Sequence, residues 1–414
     1  MKKKLILRAP ILTQSGYGKH ARFVLRALRE YDHLFDIYLL AIPWGKTSWD
    51  LRKTPENTWI DGLLEKTIHY INSGGTFDLS VQVTIPGEFE RIAPVNYGVT
   101  AGVESTKISP LWVQKCNENV DKIITTSKHA SFGFLNTKYY MEDPQTKEKF
   151  TVQVDKPVEH VGFPVEEKLF AKVENPEKTF SFDTDFNFLT VAQWSPRKHL
   201  NDTIRWWVEE FFDKEVGLVV KTSIANGSII DRNHTEERVA NLLKEYEGRK
   251  CRVYLIHGDL NEEEMASLYQ HEKVKCLISL GNEGFNLPAF EAASNDLPVL
   301  AVDWSGHVDF LYKQTEEESK QLFTPVKYTI GNVQKEAVWD TVIQEDSHWS
   351  YPKSGDYKIK LREVYNQIET KNEMARELGE WVRKEFSVEN QYKKFIESLG
   401  LDTEKKQIEI VEFD

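Results

Sequence analysis

What most constrains this chain is a rhythm that stops once and starts again. Strand-like "KLILRAPI" gives way to helix-like "GKHARFVLRALREY" and then to "DIYLLAIP". "FDLSVQVTI", "VNYGVTAG", "SPLWVQKCNENV" and "DKIITTS" continue the alternation. This is the pattern of a parallel sheet covered by helices. Prolines and charges then cluster through "EDPQTKEK" and "VDKPVEHVGFPVEEKLFAKVENPEKTFSFDTD", which places a domain boundary near 165–183. The rhythm restarts with "FNFLTVAQW" and runs on through "VGLVVKTS", "CRVYLIHGDL", "VKCLISL" and "LPVLAVDW", each separated by a helix-like run. At 414 residues the chain exceeds one ordinary core. The expected fold is α/β, with two doubly wound domains, 1–170 and 171–385, facing a cleft. A helical tail, 386–414, is expected to pack back on the first domain.

Composition removes several classes of function. The 40% hydrophobic and 29% charged fractions are those of a globular protein. No run of about 18 apolar residues occurs, so no membrane span is expected. The opening "MKKKLILRAPIL" is broken by Arg8 and Pro10 and reads as a first strand rather than a signal peptide. Cys116, Cys251 and Cys276 form no CxxC pair, and the expectation is buried thiols in a reducing cytoplasm, with no disulfide or zinc site. Residues 1–168 carry 22 Lys+Arg against 20 Asp+Glu, net +2, and residues 169–414 carry 31 against 45, net −14. Such a balance argues against non-specific nucleic-acid binding by the whole chain, while leaving a nucleic-acid acceptor open to the first half.

The chemistry-bearing motifs all follow strands, where ligands of doubly wound sheets bind. In "GNEGFNLPAFEA", 281–292, Asn286 can cap a helix whose first turn holds Pro288. Glu283 then lies in the loop and Glu291 one turn into the helix, so both can face a cleft beside a helix start suited to hydroxyls or phosphates. A polar loop with a surface glutamate is the plain alternative. "VAQWSPRKHL", 191–200, offers Arg197 and Lys198, and "VVKTS" offers Lys221, as anion-binding or merely solvated cations. In "SGYGKHARFVLRAL", Gly16 and Gly18 could let backbone approach a ligand. Lys19, Arg22, Arg26 and Arg29 share one helix face there, read as solvated in preference to an acceptor-phosphate track. The "DTD" at 183–185 lies at the wrong end of its strand to hold a donor metal, and no metal is required.

The pattern from "HGDLNEEEMASLYQHE" to "LPVLAVDWSG" resembles the donor-binding half of retaining nucleotide-sugar glycosyltransferases with two Rossmann-like domains, the GT-B type. Glutamates eight apart are that family's signature. The resemblance implies that Glu291 holds the donor ribose, that Glu283 sits beside the donor sugar, and that backbone amides of Gly284, Phe285, Asn286 and Leu287 meet sugar hydroxyls and phosphate. It makes Lys198 the cation facing the leaving diphosphate. Gln193 stands where an arginine is usual, so Arg197 is the substitute, with Lys221 a further cation. Gly306 in "AVDWSGHVDF" should line the nucleotide pocket, with His307 and Asp309 as lesser polar contacts. The donor implied is a UDP-sugar, with no cofactor besides it. The stretch 98–134, with Glu104, Pro110, Trp112, Asp121 and Ser127, is similar to a subset of these transferases. Glu104 is either an acceptor-side group or a strand-end cap. His129 is the first histidine of this region, and it carries no acceptor-base role over from the family. Within the family, the closest resemblance is to enzymes of tailed bacteriophages, which implies host cytoplasm and a modified DNA base as acceptor. A surface or capsule glycan is the rival acceptor. A sugar-nucleotide epimerase or a noncatalytic binding module on the same fold are the rivals of another class.

Overall fold

The computed structural model describes residues 2–403. Its first half builds one parallel sheet: β1 (Lys3–Ala9), β2 (Phe35–Ala41), β3 (Leu79–Val83), β4 (Val95–Val99), β5 (Lys122–Thr125) and β6 (Val158–His160), in the spatial order β2-β1-β3-β4-β5-β6. The second half builds another from β7 (Asn187–Val191), β8 (Gly217–Thr222), β9 (Arg252–His257), β10 (Val274–Ser279), β11 (Val299–Val302) and β12 (Thr324–Val326), ordered β9-β8-β7-β10-β11-β12. Both are doubly wound, as the alternating runs require. Helices cover both faces, so central strands such as β3 are buried at every position. In each sheet the strand order reverses once, between β1 and β3 and between β7 and β10. Those reversals leave the crevices in which such sheets bind ligands.

Four helices frame or buttress these crevices. α1 (Gly16–Glu30) leaves the first reversal, capped by the Ser15 hydroxyl. α2 (Lys128–Asn136) follows β5 and is capped by Ser127. α3 (Leu287–Ser294) follows β10 and is capped by Asn286. α4 (Val388–Ser398) is the last helix of the described residues and packs on α1, where Phe23 meets Phe395 at 5.7 Å and Tyr392 at 5.9 Å. Residues 404–414 of the expected tail lie outside the described residues.

One expectation needs correction, and one feature was unforeseen. The basic face of α1 is not a solvated stripe. Arg26 grips both carboxylate oxygens of Glu56 at 2.6 and 2.7 Å and also reaches Glu166, while Arg22 donates to the carbonyls of Ile11 and Thr13. Glu166 lies in the linker that follows β6 and Glu56 on the helix Pro55–Asn72, so Arg22 and Arg26 find protein partners in place of water, while Arg29 at the end of α1 is exposed. The rhythm also concealed an arm. After β12 the strands Tyr328–Asn332 and His348–Pro352 pair antiparallel, closed at the base by Lys353 N–H to the Lys327 carbonyl at 2.8 Å. Val333, Val342, Ile343 and Trp349 of this arm are buried in a cluster with Phe89, Val103, Ile108 and Trp112 of the first half. The three cysteines are buried and free. Among the described residues no helix is long and apolar enough to cross a membrane.

Candidate active site

The loops after β7 and β10 flank the second reversal and are tied together. Asn282 N–H donates to the Arg197 carbonyl at 2.9 Å, and Arg197 Nη1 returns a bond to the Asn282 carbonyl at 2.8 Å. This lock brings the side chains of 197, 198 and 283 into one cluster. The Glu283 carboxylate accepts from Lys198 Nζ and, at 3.2 Å, from Arg197 Nη1. Arg197 Nη2 then reaches across the cleft to Glu104 Oε1 at 3.3 Å. Burial works against the Glu283 carboxylate, but Lys198 and Arg197 outweigh it and hold the group below the usual carboxylate range. Burial, joined by the Arg197 charge, pulls the Lys198 ammonium below its ordinary range against the attraction of Glu283.

The backbone around Glu283 is braced from both halves of the molecule. The Ser305 hydroxyl accepts from Glu283 N–H and donates to its carbonyl, and Gly306 N–H donates to the same carbonyl at 2.9 Å. A Cβ on Gly306 would stand 1.9 Å from the Gly284 carbonyl oxygen, so only glycine fits. Gly284 in turn lies under the first half. A Cβ there would be 2.6 Å from the Ala101 carbonyl oxygen, and the Ser127 hydroxyl donates to the Gly284 carbonyl at 2.5 Å. Among the described residues the amides of Gly284, Phe285 and Asn286 donate to no protein group. They open onto the N-terminal end of α3, whose dipole and free donors suit an anion or hydroxyl. The Phe285 side chain is not offered to a ligand; it packs among Phe163, Phe290 and Phe310 at 5.0–5.1 Å.

Glu291, one turn into α3, is also buried. It accepts from Lys19 Nζ of α1 and from the Tyr269 hydroxyl at 3.0 Å. Lys221, at the end of β8, makes no salt bridge among the described residues. Burial pulls its ammonium below the ordinary range, with Asp259 and Glu291 opposing. Leu287 begins α3 beside these groups. The structure thus gathers Glu283, Lys198, Arg197 and Glu104 in one cluster and Lys19, Lys221 and Glu291 in a second.

Other residues fall outside both clusters. Gln193 donates to the Ile224 carbonyl at 3.0 Å. A Cβ on Gly18 would meet the Thr13 carbonyl oxygen at 1.9 Å, so that glycine is required by its own loop, whereas the position over Gly16 is open. His307 donates from Nε2 to the Val302 carbonyl at 2.7 Å, which leaves Nδ1 to accept from Asn286 Nδ2 at 3.2 Å; it braces the helix cap. Asp309 accepts from Lys128 N–H at 2.7 Å across the cleft. Asp183 and Asp185 pair with Arg252 and Lys273 at 2.8 and 3.0 Å. No group of three His, Cys, Asp or Glu side chains among the described residues is arranged to hold a metal.

Sequence reasoning missed Asn282, Ser305, His199, Tyr269 and the use of Lys19. Asn282 adjoins the signature glutamate, and Lys19 adjoins Gly18, so their positions were in view. Their partners lie far along the chain and gave no local signal.

No family model matches the chain, and no curated protein matches it in sequence. Solved structures do match in fold. Sucrose-phosphate synthase from Thermosynechococcus elongatus superposes with a TM-score of 0.63 at 12% identity, covering 96% of this chain and 98% of that one. Anabaena HepE in complex with UDP-glucose gives 0.60 at 12%, covering 96% and 99%. A UDP-forming trehalose-phosphate synthase from Burkholderia xenovorans gives 0.57 at 10%, covering 97% and 99%. At these identities the likeness shows the architecture: the chain has the GT-B fold of these glycosyltransferases, two parallel six-stranded sheets, over nearly its whole length.

Proposed function

We propose that the chain is a retaining glycosyltransferase that moves a sugar from a UDP-sugar to an acceptor hydroxyl, with no cofactor beyond the donor. The observation that carries this reading is the buried Lys198–Glu283–Arg197–Glu104 cluster at the strand-order reversal of the second sheet. Transfer from a nucleoside diphosphate releases an anion, and preorganised cations beside it stabilise the developing charge. Lys198 and Arg197 supply them, with Lys221 near the diphosphate and the amides of Gly284, Phe285 and Asn286 on phosphate or sugar oxygens. Glu291 takes the ribose hydroxyls, and Gly306 holds the loop at its required height.

Retaining glycosidases use one carboxylate as a nucleophile. Glu283 is poorly placed for that role, because two cations already engage it. It acts instead by stabilising an oxocarbenium-like centre, while the departing phosphate takes the acceptor proton on the same face. Closure of the two halves excludes water, which would otherwise compete with the acceptor.

The acceptor enters past Gly16, Gly18 and Glu104. Our reading is a hydroxyl on a modified DNA base in a phage-infected cell. Besides the resemblance of 98–134, it is supported by the loop after β2, which presents Trp49 and Leu51, exposed, with the exposed Lys46, Arg52 and Lys53. Aromatic and basic side chains interleaved in this way suit a displaced strand. The acidity of the second half favours the second reading, a glycan acceptor.

Thermal melts with a panel of nucleotides and nucleotide sugars test the donor site. A ligand at 100 times its Kd adds about 2.7 kcal/mol of stability. No shift with any of them would refute the donor assignment. Transfer to hydroxymethylated DNA, but not to a glycan panel, decides the acceptor. Donor turnover without any acceptor would point to an epimerase.

A further inference from the structure

The arm between β12 and the C-terminal helices belongs to the second half by sequence, yet its tip is part of the first half's core. Trp349 is fully buried there, and Val333, Val342 and Ile343 are nearly so. Beside this tip, Thr106 N–H donates to the His348 carbonyl at 3.0 Å and His348 N–H donates to Thr106 Oγ1 at 3.0 Å; Lys107 pairs with Asp346. Thr106 and Lys107 lie in the loop that carries Glu104.

Two residues further along the arm, Ser350 reaches the other side of the cleft. Its N–H and hydroxyl both donate to Asn282 Oδ1, at 2.9 and 2.7 Å, and its carbonyl accepts from Asn282 Nδ2 at 3.1 Å. The same carbonyl lies 3.1 Å from His199 Nε2. Asn282 and His199 flank Glu283 and Lys198 in sequence. The arm's turn Lys335–Ala337 also packs on the turn Pro196–Lys198. Asn282 is fully buried, and its side-chain oxygen and nitrogen are both used by the arm.

These bonds close a ring. From Glu104 it passes through the Arg197 guanidinium to Asn282 and Glu283. It continues through Ser350 and His348 to Thr106, and so back to Glu104. We infer that the arm is a positioning strut, in which Thr106, Ser350 and Asn282 make the alignment of Glu283 and Lys198 depend on the first half being in place. Closing the cleft and setting the catalytic loop are then one event. The inference deepens the transferase reading and rests on it for what the aligned groups do. None of Thr106, Ser350 or Asn282 needs to touch substrate for this role.

The test uses the full chain and one pair of conservative variants at the far end of the strut. Thr106→Val loses the oxygen that accepts from His348; Thr106→Ser keeps it. Amide hydrogen exchange of the ligand-free protein is read over 280–286, at the bonded amides of Asn282 and Glu283. Thr106→Val should speed exchange there roughly five- to tenfold, the effect of one net hydrogen bond, and Thr106→Ser should leave it unchanged. Ser350→Ala, which removes one of the three Ser350–Asn282 bonds, should act alike, and the Thr106→Val/Ser350→Ala double variant should fall short of the sum of the singles, because both weaken one ring. In transfer assays kcat should fall with KM for the donor sugar unchanged. Unaltered exchange over 280–286 in Thr106→Val, or additive effects in the double variant, would overturn the strut. If the wild-type protein binds no nucleotide and transfers no sugar, the functional reading fails while the exchange result still decides the strut.

Discussion

Glu283→Gln separates what this carboxylate does in the fold, holding two buried cations, from the proposed part it takes in stabilising a reaction. The Glu283 and Lys198 side chains are 10% and 9% exposed. Removing one member of a buried pair costs about 3–5 kcal/mol, because the other charge is left without its partner. Two features place Glu283→Gln near the low end, about 3 kcal/mol. The glutamine oxygen can still accept from Lys198, and Arg197 keeps Glu104 at 3.3 Å. A domain with an ordinary stability of about 5–15 kcal/mol survives that loss. Activity should fall further than stability. Loss of one preorganised stabilising group costs about 10²–10³ in rate. The assay pairs denaturant unfolding with UDP release under acceptor-saturating conditions. The discriminating protein is Glu283→Gln/Lys198→Met, which removes both charges. It should regain much of the lost stability and none of the activity. Wild-type turnover in folded Glu283→Gln would refute the catalytic role. A double variant as unstable as the single would refute the claim that an orphaned Lys198 is what destabilises it.

Three other perturbations have defined outcomes. Gly284→Ala puts a methyl 2.6 Å from the Ala101 carbonyl oxygen, so the halves must separate; small-angle scattering should show a larger radius, and transfer should be lost even at saturating donor. Lys19→Met frees Glu291 for a ribose but removes a cation near Lys221, so calorimetry should find uridine bound more tightly and UDP no more tightly than in wild type; tighter UDP binding would show that Lys19 never meets the phosphates. His20 is buried without a partner on Nδ1, and burial lowers its folded pKa to about 3. Its folded value lies below the unfolded one of about 6.5. Stability is therefore fully present above pH of about 6.5 and is lost as pH falls toward the folded value, with a slope of about 1.4 kcal/mol per unit. His20→Leu should flatten that limb in a pH series of urea melts, and an unchanged limb would count against the burial of a neutral His20.

The parts of this architecture that are periodic were legible in the sequence. Both parallel sheets announce themselves because each strand, helix and cap is specified by a dozen neighbouring residues. Asn286 with Pro288 marks the start of α3 for the same reason, and the eight-residue spacing then sets Glu283 before the helix and Glu291 within it. The arm was not legible. Its buried residues Val333, Val342, Ile343 and Trp349 have neither helical nor alternating spacing, because they enter another sheet's core as the tip of an arm. Asn282 and Ser350 are 68 positions apart, and nothing local in either one specifies the other.

Backbone conformation around the Lys198–Glu283 pair was equally hidden, and it explains why those positions are not glycine. His199, Asn286 and Ser305 all adopt positive φ, at 51°, 80° and 95°. Such conformations cost about 1–3 kcal/mol each in a residue with a side chain, and glycine would relieve that strain. Each side chain, however, makes a bond that glycine would lose: His199 reaches toward the Ser350 carbonyl, Asn286 donates to Ser279, and Ser305 brackets Glu283. Three strained residues whose side chains pin the turn carrying Lys198 and the loop carrying Glu283 are what a site held in advance of its substrate requires. Replacing any one by glycine would give a more relaxed backbone and a worse-aligned loop. The stability of the fold and the precision of the cleft therefore pull in opposite directions at these three positions, and the chain has kept the strain.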